Sequence, residues 1–224
     1  MRFLRWEEWW NEDIYGRAKP WLPEDWAKDP NVSKLNFGSG TLVFDQDDGW
    51  INVDRNPGPG IVQADVVRGL PFPDDTFDYV HLSNVMEHIC PLVIWSVLEE
   101  LARVSKDGCV WEILGPDPRN VVVTLQAAGH TTLIGPWTFF TLWKRRGAGD
   151  LDMARTTEKW YPEPIDHEFN PEGPARWKSW YGFRFGNITD WHLRRYFGRR
   201  IGDVLSRILG RPWTLRLVYR VVKS

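Results

Sequence analysis

The stretch LNFGSGTLVFDQDDGWINVD, Leu35 to Asp54, decides the fold. It opens on a short apolar run, breaks at Gly38-Ser39-Gly40, and closes on a second apolar run that ends in an acid, Asp54. Glycine permits positive φ and lets backbone N–H groups approach a ligand closely. A strand, a glycine turn and a second strand ending in an acid open many nucleotide-binding α/β domains. Two features depart from the usual fingerprint. Leu42 stands where a third glycine is expected. The span between the two strands is short, polar and acid-rich where a helix would ordinarily run.

Working outward, strands and helices alternate over residues 32–114. SKLNF, WINVD, GIVQAD, FDYVHLS and CVWEILG read as five strands, with the turn NPGPG before the third. PLVIWSVLEELARVSKDG reads as a helix between the fourth and fifth. Pro91 suits its first turn, and Lys106 and Gly108 suit its end. Ile94, Val97, Leu98, Leu101 and Val104 fall on one face at helical spacing. Such alternation predicts an α/β fold with a mostly parallel sheet covered on both sides.

The flanks differ from this core. Residues 1–31 read as an apolar-faced helix and a Pro-punctuated segment, an N-terminal cap. Residues 32–115 form the core. Residues 116–187 read as an insertion near the ligand, with apolar helices split near Gly135-Pro136 and a Pro-rich loop. Residues 188–224 read as a helix over 188–200 followed by a final strand. All four belong to one domain spanning 1–224, a length that suits one α/β domain with insertions.

Composition bounds the function classes. Apolar content is 42% and charged content 26%, as in soluble globular proteins. No run of about 18 apolar residues predicts a membrane span. The first residues carry acids and tryptophans where a signal peptide needs an apolar core, so a cytoplasmic protein is expected. The two cysteines, Cys90 and Cys109, read as reduced thiols, and no Cys/His cluster suggests zinc. Asp166-His167-Glu168 lacks a second cluster, and no metal is expected. Charge is uneven: residues 176–224 hold twelve Lys/Arg against two acids, Asp190 and Asp203. A basic segment can contact phosphates or simply balance an acidic core. The fifteen tryptophans read mainly as packing residues.

In an open α/β sheet, ligands sit at the C-terminal strand ends. Three features fall there: Gly38-Ser39-Gly40, Asp54 and Asp65. An acid at the second strand end can accept both hydroxyls of a ribose, and one at the third can reach an adenine amino group. The set fits an adenosine-containing ligand. A dinucleotide dehydrogenase is disfavoured, because GxGxxG is absent and the following span is too short for its helix.

Residues 34–115 resemble the core of class I S-adenosylmethionine-dependent methyltransferases of the type 11 kind. LNFGSG is similar to motif I and GWINVD to the second-strand motif. ADVVRGLPFPDDTFDYVHLSNVMEHI resembles the signature through the fourth strand, and LEELARVSKDGCVWEILGPD the following helix and fifth strand. The shortened segment running into GWINVD resembles one subgroup. The resemblance implies a Rossmann-like fold: a mostly parallel seven-stranded sheet with an antiparallel C-terminal strand and helices on both faces. It implies S-adenosylmethionine as cofactor, with Gly38, Ser39 and Gly40 along the methionine part. Asp54 and the adjoining Arg55 fall at the ribose, Asp65 and Val66 at adenine. Ser83 and Asn84 fall near the methionine amino group or reacting sulfur.

Methyl transfer from a sulfonium is an in-line displacement, so the protein chiefly aligns the nucleophile and excludes water. A base is needed only where the acceptor loses a proton. Base candidates are His88, His130, His167 and Asp166, and Glu87 and His88 can alternatively tie the next helix to the sheet. SNVMEH replaces the Asn/Asp-Pro-Pro-aromatic motif of amino-group DNA methyltransferases. Cys90-Pro91 reverses the Pro-Cys order of cytosine-C5 enzymes. A small-molecule or sugar/glycan acceptor is expected, with Trp137, Phe139, Phe140 and Trp143 as an aromatic lid. The alternatives are an RNA or nucleotide substrate held by the basic C-terminal segment, and a non-catalytic cofactor-binding module.

Overall fold

The computed structural model describes residues 20, 22, 24–116, 129–135, 160–164, 201 and 214–223. Most of the expected N-terminal cap and lid, and the 188–200 helix, lie outside these residues. So do Asp166, His167 and the four lid aromatics.

Seven strands among the described residues form one sheet: β1 (Lys34–Phe37), β2 (Trp50–Asp54), β3 (Ile61–Gln63), β4 (Phe77–Ser83), β5 (Ser105–Pro116), β6 (Trp160–Pro164) and β7 (Thr214–Lys223). Their order is β3-β2-β1-β4-β5-β7-β6. The first five are parallel, β7 runs antiparallel to β5, and β6 antiparallel to β7. The chain winds outward from β1 to β3, then returns to β4 on the other side of β1. The strand order therefore reverses between β1 and β4, where a crevice opens at their C-terminal ends.

Helix α1 (Ile94–Val104) covers one face, burying Ile94, Val97, Leu98, Leu101 and Val104 as the spacing predicts. They meet Leu35, Phe37, Val53, Val80, Leu82, Trp111 and Ile113 in one apolar cluster. Each buried aliphatic side chain there contributes about 1.5–3 kcal/mol. Glu100 and Arg103, on the same helix, clamp the loop before β4. Glu100 accepts from the Leu70 amide at 2.5 Å, and Arg103 donates to the carbonyls of Leu70 and Phe72.

Both helix ends differ from the sequence expectation. Pro91 lies in a turn three residues before α1. At the other end, α1 stops at Val104 rather than near Gly108, because Ser105 is already extended (φ −79°, ψ 140°) and pairs with Phe77. Its hydroxyl donates to the Leu101 carbonyl and accepts from the Trp111 indole, so the cap and the sheet share one residue. Gly108, at φ +81°, serves a bulge in β5 instead: Phe77 faces Ser105, but Tyr79 already faces Val110.

No α-helix follows the first glycine turn. Residues 41–45 are irregular and a single 3-10 turn covers Gln46–Asp48, capped by Asp45 and closed by Gly49. Two asparagines hold this short segment. Asn52 accepts from the Phe44 amide and donates to its carbonyl, both at 2.9 Å. Asn36 donates to the Leu42 carbonyl at 2.7 Å and to Asn52 Oδ1 at 2.9 Å. Lys34 is buried and donates to three carbonyls, of Asp29, Val32 and Asp48. Its burial lowers the ammonium pKa from the usual lysine value.

Candidate functional site

The two turns at the strand-order reversal pack directly on each other. Gly38 has φ +67°, and a Cβ built on it would lie 2.3 Å from Val85 Cγ2, just past β4. Only glycine fits this approach. Gly40, at φ +52°, faces open space. Its amide donates to Asp54 Oδ2 at 2.9 Å, and the Asn56 amide donates to Asp54 Oδ1 at 2.8 Å. Each carboxylate oxygen keeps a second lone pair for a ligand hydroxyl. The Ser39 hydroxyl is buried and makes no hydrogen bond, which leaves a polar atom to be satisfied at the crevice.

The third strand end is arranged differently from the simple expectation. Asp65 lies two residues past β3 and caps the 3-10 turn Val66–Arg68, accepting from the Val67 amide at 3.2 Å. Arg55 is exposed, and its carbonyl accepts from the Gln63 side chain at 3.1 Å. Ser83 ends β4. Asn84 follows at φ +53°, with its amide bonded to the Leu114 carbonyl at 2.9 Å. A non-glycine residue in this conformation stores backbone strain of the kind found where a chain must turn sharply at a site.

Beyond Asn84, the 3-10 turn Met86–His88 carries a second constellation. Residues 129–135 are stitched to it. The Thr131 and Thr132 amides donate to the Glu87 carbonyl at 2.8 and 3.2 Å, and both threonine hydroxyls donate to the Ile89 carbonyl. This stitching brings His130 to His88, with ring centroids 4.9 Å apart. Two of the three predicted histidines therefore meet. Glu87, which the sequence suggested only as a tying residue, stands with them: one ligating atom from each of the three lies within 4.8 Å of the others.

Glu87 is 4% exposed, and its Oε2 is buried without a hydrogen bond. Burial pushes its carboxyl up to about 7, because desolvation disfavours the charged form. The glutamate borders a small cleft with Met86, Leu114, Thr132, Ile134 and Leu217 among its walls. Sequence reasoning had one usable signal for this site, an acid beside a histidine within the largely apolar run VMEHI.

Residues 35–111 match the family profile described as a methyltransferase domain. No curated protein matches the sequence. Solved structures match the fold. An S-adenosylmethionine-dependent methyltransferase from Archaeoglobus fulgidus aligns over 96% of this chain and 100% of its own, at 17% identity and TM-score 0.55. A methyltransferase from Mesorhizobium loti aligns over 92% and 96%, at 16% identity and TM-score 0.45. The Haloferax volcanii complex of a Trm112 activator and a putative methyltransferase aligns over 96% and 90%, at 14% identity and TM-score 0.47. The methyltransferase-domain match over residues 35–111 lies on this sheet, its glycine turn and its strand-end acid, and the fold is the one seen in S-adenosylmethionine-dependent methyltransferases.

Proposed function

We propose that the enzyme methylates a small molecule or a sugar/glycan in the cleft beyond β4 and β5. The observation that carries this reading is the cleft itself. Its walls combine apolar surface from Met86, Leu114, Ile134 and Leu217 with the polar groups of Glu87 and Thr132, as small-ligand sites do. It adjoins the strand ends at which the cofactor would lie.

S-adenosylmethionine supplies an electrophilic methyl group on a sulfonium. Asp54 would accept the ribose hydroxyls, with the Gly40 amide holding its carboxylate in place. The buried Ser39 hydroxyl and the strained Asn84 turn would face the methionine part, and Asp65 with Val66 would border adenine. His88 and His130 stand on the acceptor side as candidate bases for an acceptor that must lose a proton; His167 is a further candidate from sequence. The short segment after Gly40 supports membership of the subgroup with a reduced first motif. Two free cysteines, one exposed and one buried, support a reducing cytoplasmic setting. Among the described residues no helix is long and apolar enough to cross a membrane.

Calorimetry tests the cofactor site, titrating S-adenosylmethionine and S-adenosylhomocysteine with NAD as competitor. Asp54→Ala is expected to weaken binding at least about tenfold, equivalent to about 1.4 kcal/mol. A folded protein that binds neither compound would overturn the site. With binding in hand, turnover of a panel of small hydroxylated and amine acceptors tests the acceptor class. The basic segment 176–224 favours one second reading, an RNA or nucleotide substrate. It predicts nucleic-acid binding that weakens steeply with salt and is lost when Arg194, Arg195, Arg199 and Arg200 are neutralised. Cofactor binding with no turnover of any acceptor would instead mark a non-catalytic module.

A further inference from the structure

We propose that Glu87, His88 and His130 form a binding site for a single divalent transition-metal ion of the Zn²⁺ class. Two imidazoles and one carboxylate are a recurrent ligand set for catalytic zinc, which leaves a further position open to water or substrate. The three ligating atoms already lie within 4.8 Å of one another. Bonds of about 2.0–2.2 Å place tetrahedral ligands about 3.3–3.6 Å apart. An inward shift of roughly an ångström, shared among the three side chains, therefore closes the site.

The surroundings are organised as a metal's outer shell would be. His88 Nδ1 lies 3.3 Å from the Gly129 carbonyl. A carbonyl only accepts, so this contact places the proton on Nδ1 and leaves the Nε2 lone pair for a ligand, the usual second contact of a metal-bound histidine. Glu87 Oε2 is buried, makes no hydrogen bond and sits on a residue 4% exposed. A buried carboxylate oxygen without a donor is costly, and a cation would satisfy it. The backbone around both histidines is held by the Thr131 and Thr132 bonds to Glu87 and Ile89. The sequence showed an acid next to a histidine only at Glu87-His88 and Asp166-His167-Glu168. The third member, His130, is forty-two residues from His88 and joins only through the fold.

A metal here changes the acceptor chemistry. Both imidazoles become ligands, and an acceptor hydroxyl at the open position would be acidified by the ion. Its proton would leave to solvent water. The oxygen lone pair would then form the bond to the methyl carbon, as the carbon–sulfur bond breaks and its electron pair stays on sulfur. The binding site itself does not depend on this role, nor on the cofactor.

The test uses the full chain, stripped with chelator and titrated with Zn²⁺ by calorimetry, without S-adenosylmethionine. Titration with Co²⁺, followed by visible absorption, is a second readout of the coordination sphere. One Zn²⁺ per chain is expected, with affinity falling at least about a hundredfold in the His88→Ala/His130→Ala double variant and at least about tenfold in Glu87→Gln. Circular dichroism checks that the variants fold. His88→Ala alone, which removes an exposed side chain, keeps the proposal testable should the double variant not fold. Absence of stoichiometric binding by the folded wild-type chain overturns the proposal. So does binding that is unchanged in His88→Ala and lost in His167→Ala, which would place the ion at the 166–168 cluster.

Discussion

The two faces of the sheet are buried by opposite means. On the α1 side, Leu35, Phe37, Val53, Val80, Leu82, Trp111 and Ile113 pack against aliphatic side chains. On the other side, Lys34, Asn36, Asn52, His81 and Glu112 point the other way along the same strands, and none is more than 2% exposed. Glu112 accepts from the Tyr79 hydroxyl and contacts His81 Nδ1 at 2.9 Å, and Phe44 packs on Trp50 and His81. The apolar face is held by volume, which has no direction. The polar face is held by pairing, where each loss strands a partner. This difference follows from the shortened segment after Gly40. Lacking a helix to present an apolar stripe, the chain meets that face with backbone groups that asparagine and lysine side chains can satisfy.

The largest expected effect is on the apolar face. Leu101 is fully buried in α1, and Leu101→Ala is expected to cost about 3–4 kcal/mol, the transfer term plus the cavity left behind. Urea unfolding monitored by tryptophan fluorescence would show it. A loss below about 1 kcal/mol would mean that α1 is loosely docked and that the contrast between the faces is overstated.

Two buried glutamates sharpen the contrast through pH. Glu112 has partners, whereas Glu87 Oε2 has no hydrogen bond. The Glu87 carboxyl sits at about 7 in the fold against an ordinary 4.5. Between those values the native state binds more protons than the unfolded chain, so stability falls as pH rises through the window. The contribution is fully present below about pH 4.5 and lost above about pH 7, roughly 3 kcal/mol in all. In metal-free protein, Glu87→Gln is therefore expected to be more stable than wild type by up to about 3 kcal/mol at pH 8 and nearly equal at pH 4. Glu112→Gln should move the other way at pH 8, losing about 1–2 kcal/mol because the Tyr79 and His81 pairings to its carboxyl are disturbed. Unfolding curves at the two pH values check both signs, and a flat Glu87 profile would mean that water reaches the carboxylate.

The sheet was legible in the sequence because each parallel strand is a short apolar or β-branched run between turn residues, and because α1 keeps helical spacing. The ends of α1 were not. Ser105 looks like an ordinary helix residue until Phe77 offers it a strand partner, and Gly108 looks like a helix stop until the bulge in β5 claims it. The glycine turn and its bond to Asp54 were legible because Gly38, Gly40 and Asp54 sit at fixed offsets from their strands. The meeting of His88 with His130 was not, since it depends on threonine bonds to carbonyls that no local pattern announces. The asparagine clasp was half visible: Asn36 and Asn52 interrupt apolar strands, but only the fold shows that they face each other.

That clasp gives the smallest and most discriminating test of how the polar face works. Asn36→Ala removes donors to the Leu42 carbonyl and to Asn52, and Leu42 is partly exposed, so water can replace one bond. The expected cost is about 1 kcal/mol. Asn52→Ala leaves both the amide and the carbonyl of Phe44 without their side-chain partner, and is expected to cost about 2 kcal/mol. If the two amides act as one unit, the double variant should cost less than the sum, by about 0.5–1 kcal/mol, since the second substitution breaks a bond already gone. Urea midpoints for the four proteins close this cycle. Additivity within about 0.3 kcal/mol would make them separate anchors. The segment replacing the helix would then be held residue by residue, and Asn52 alone would set the position of Phe44 over the sheet.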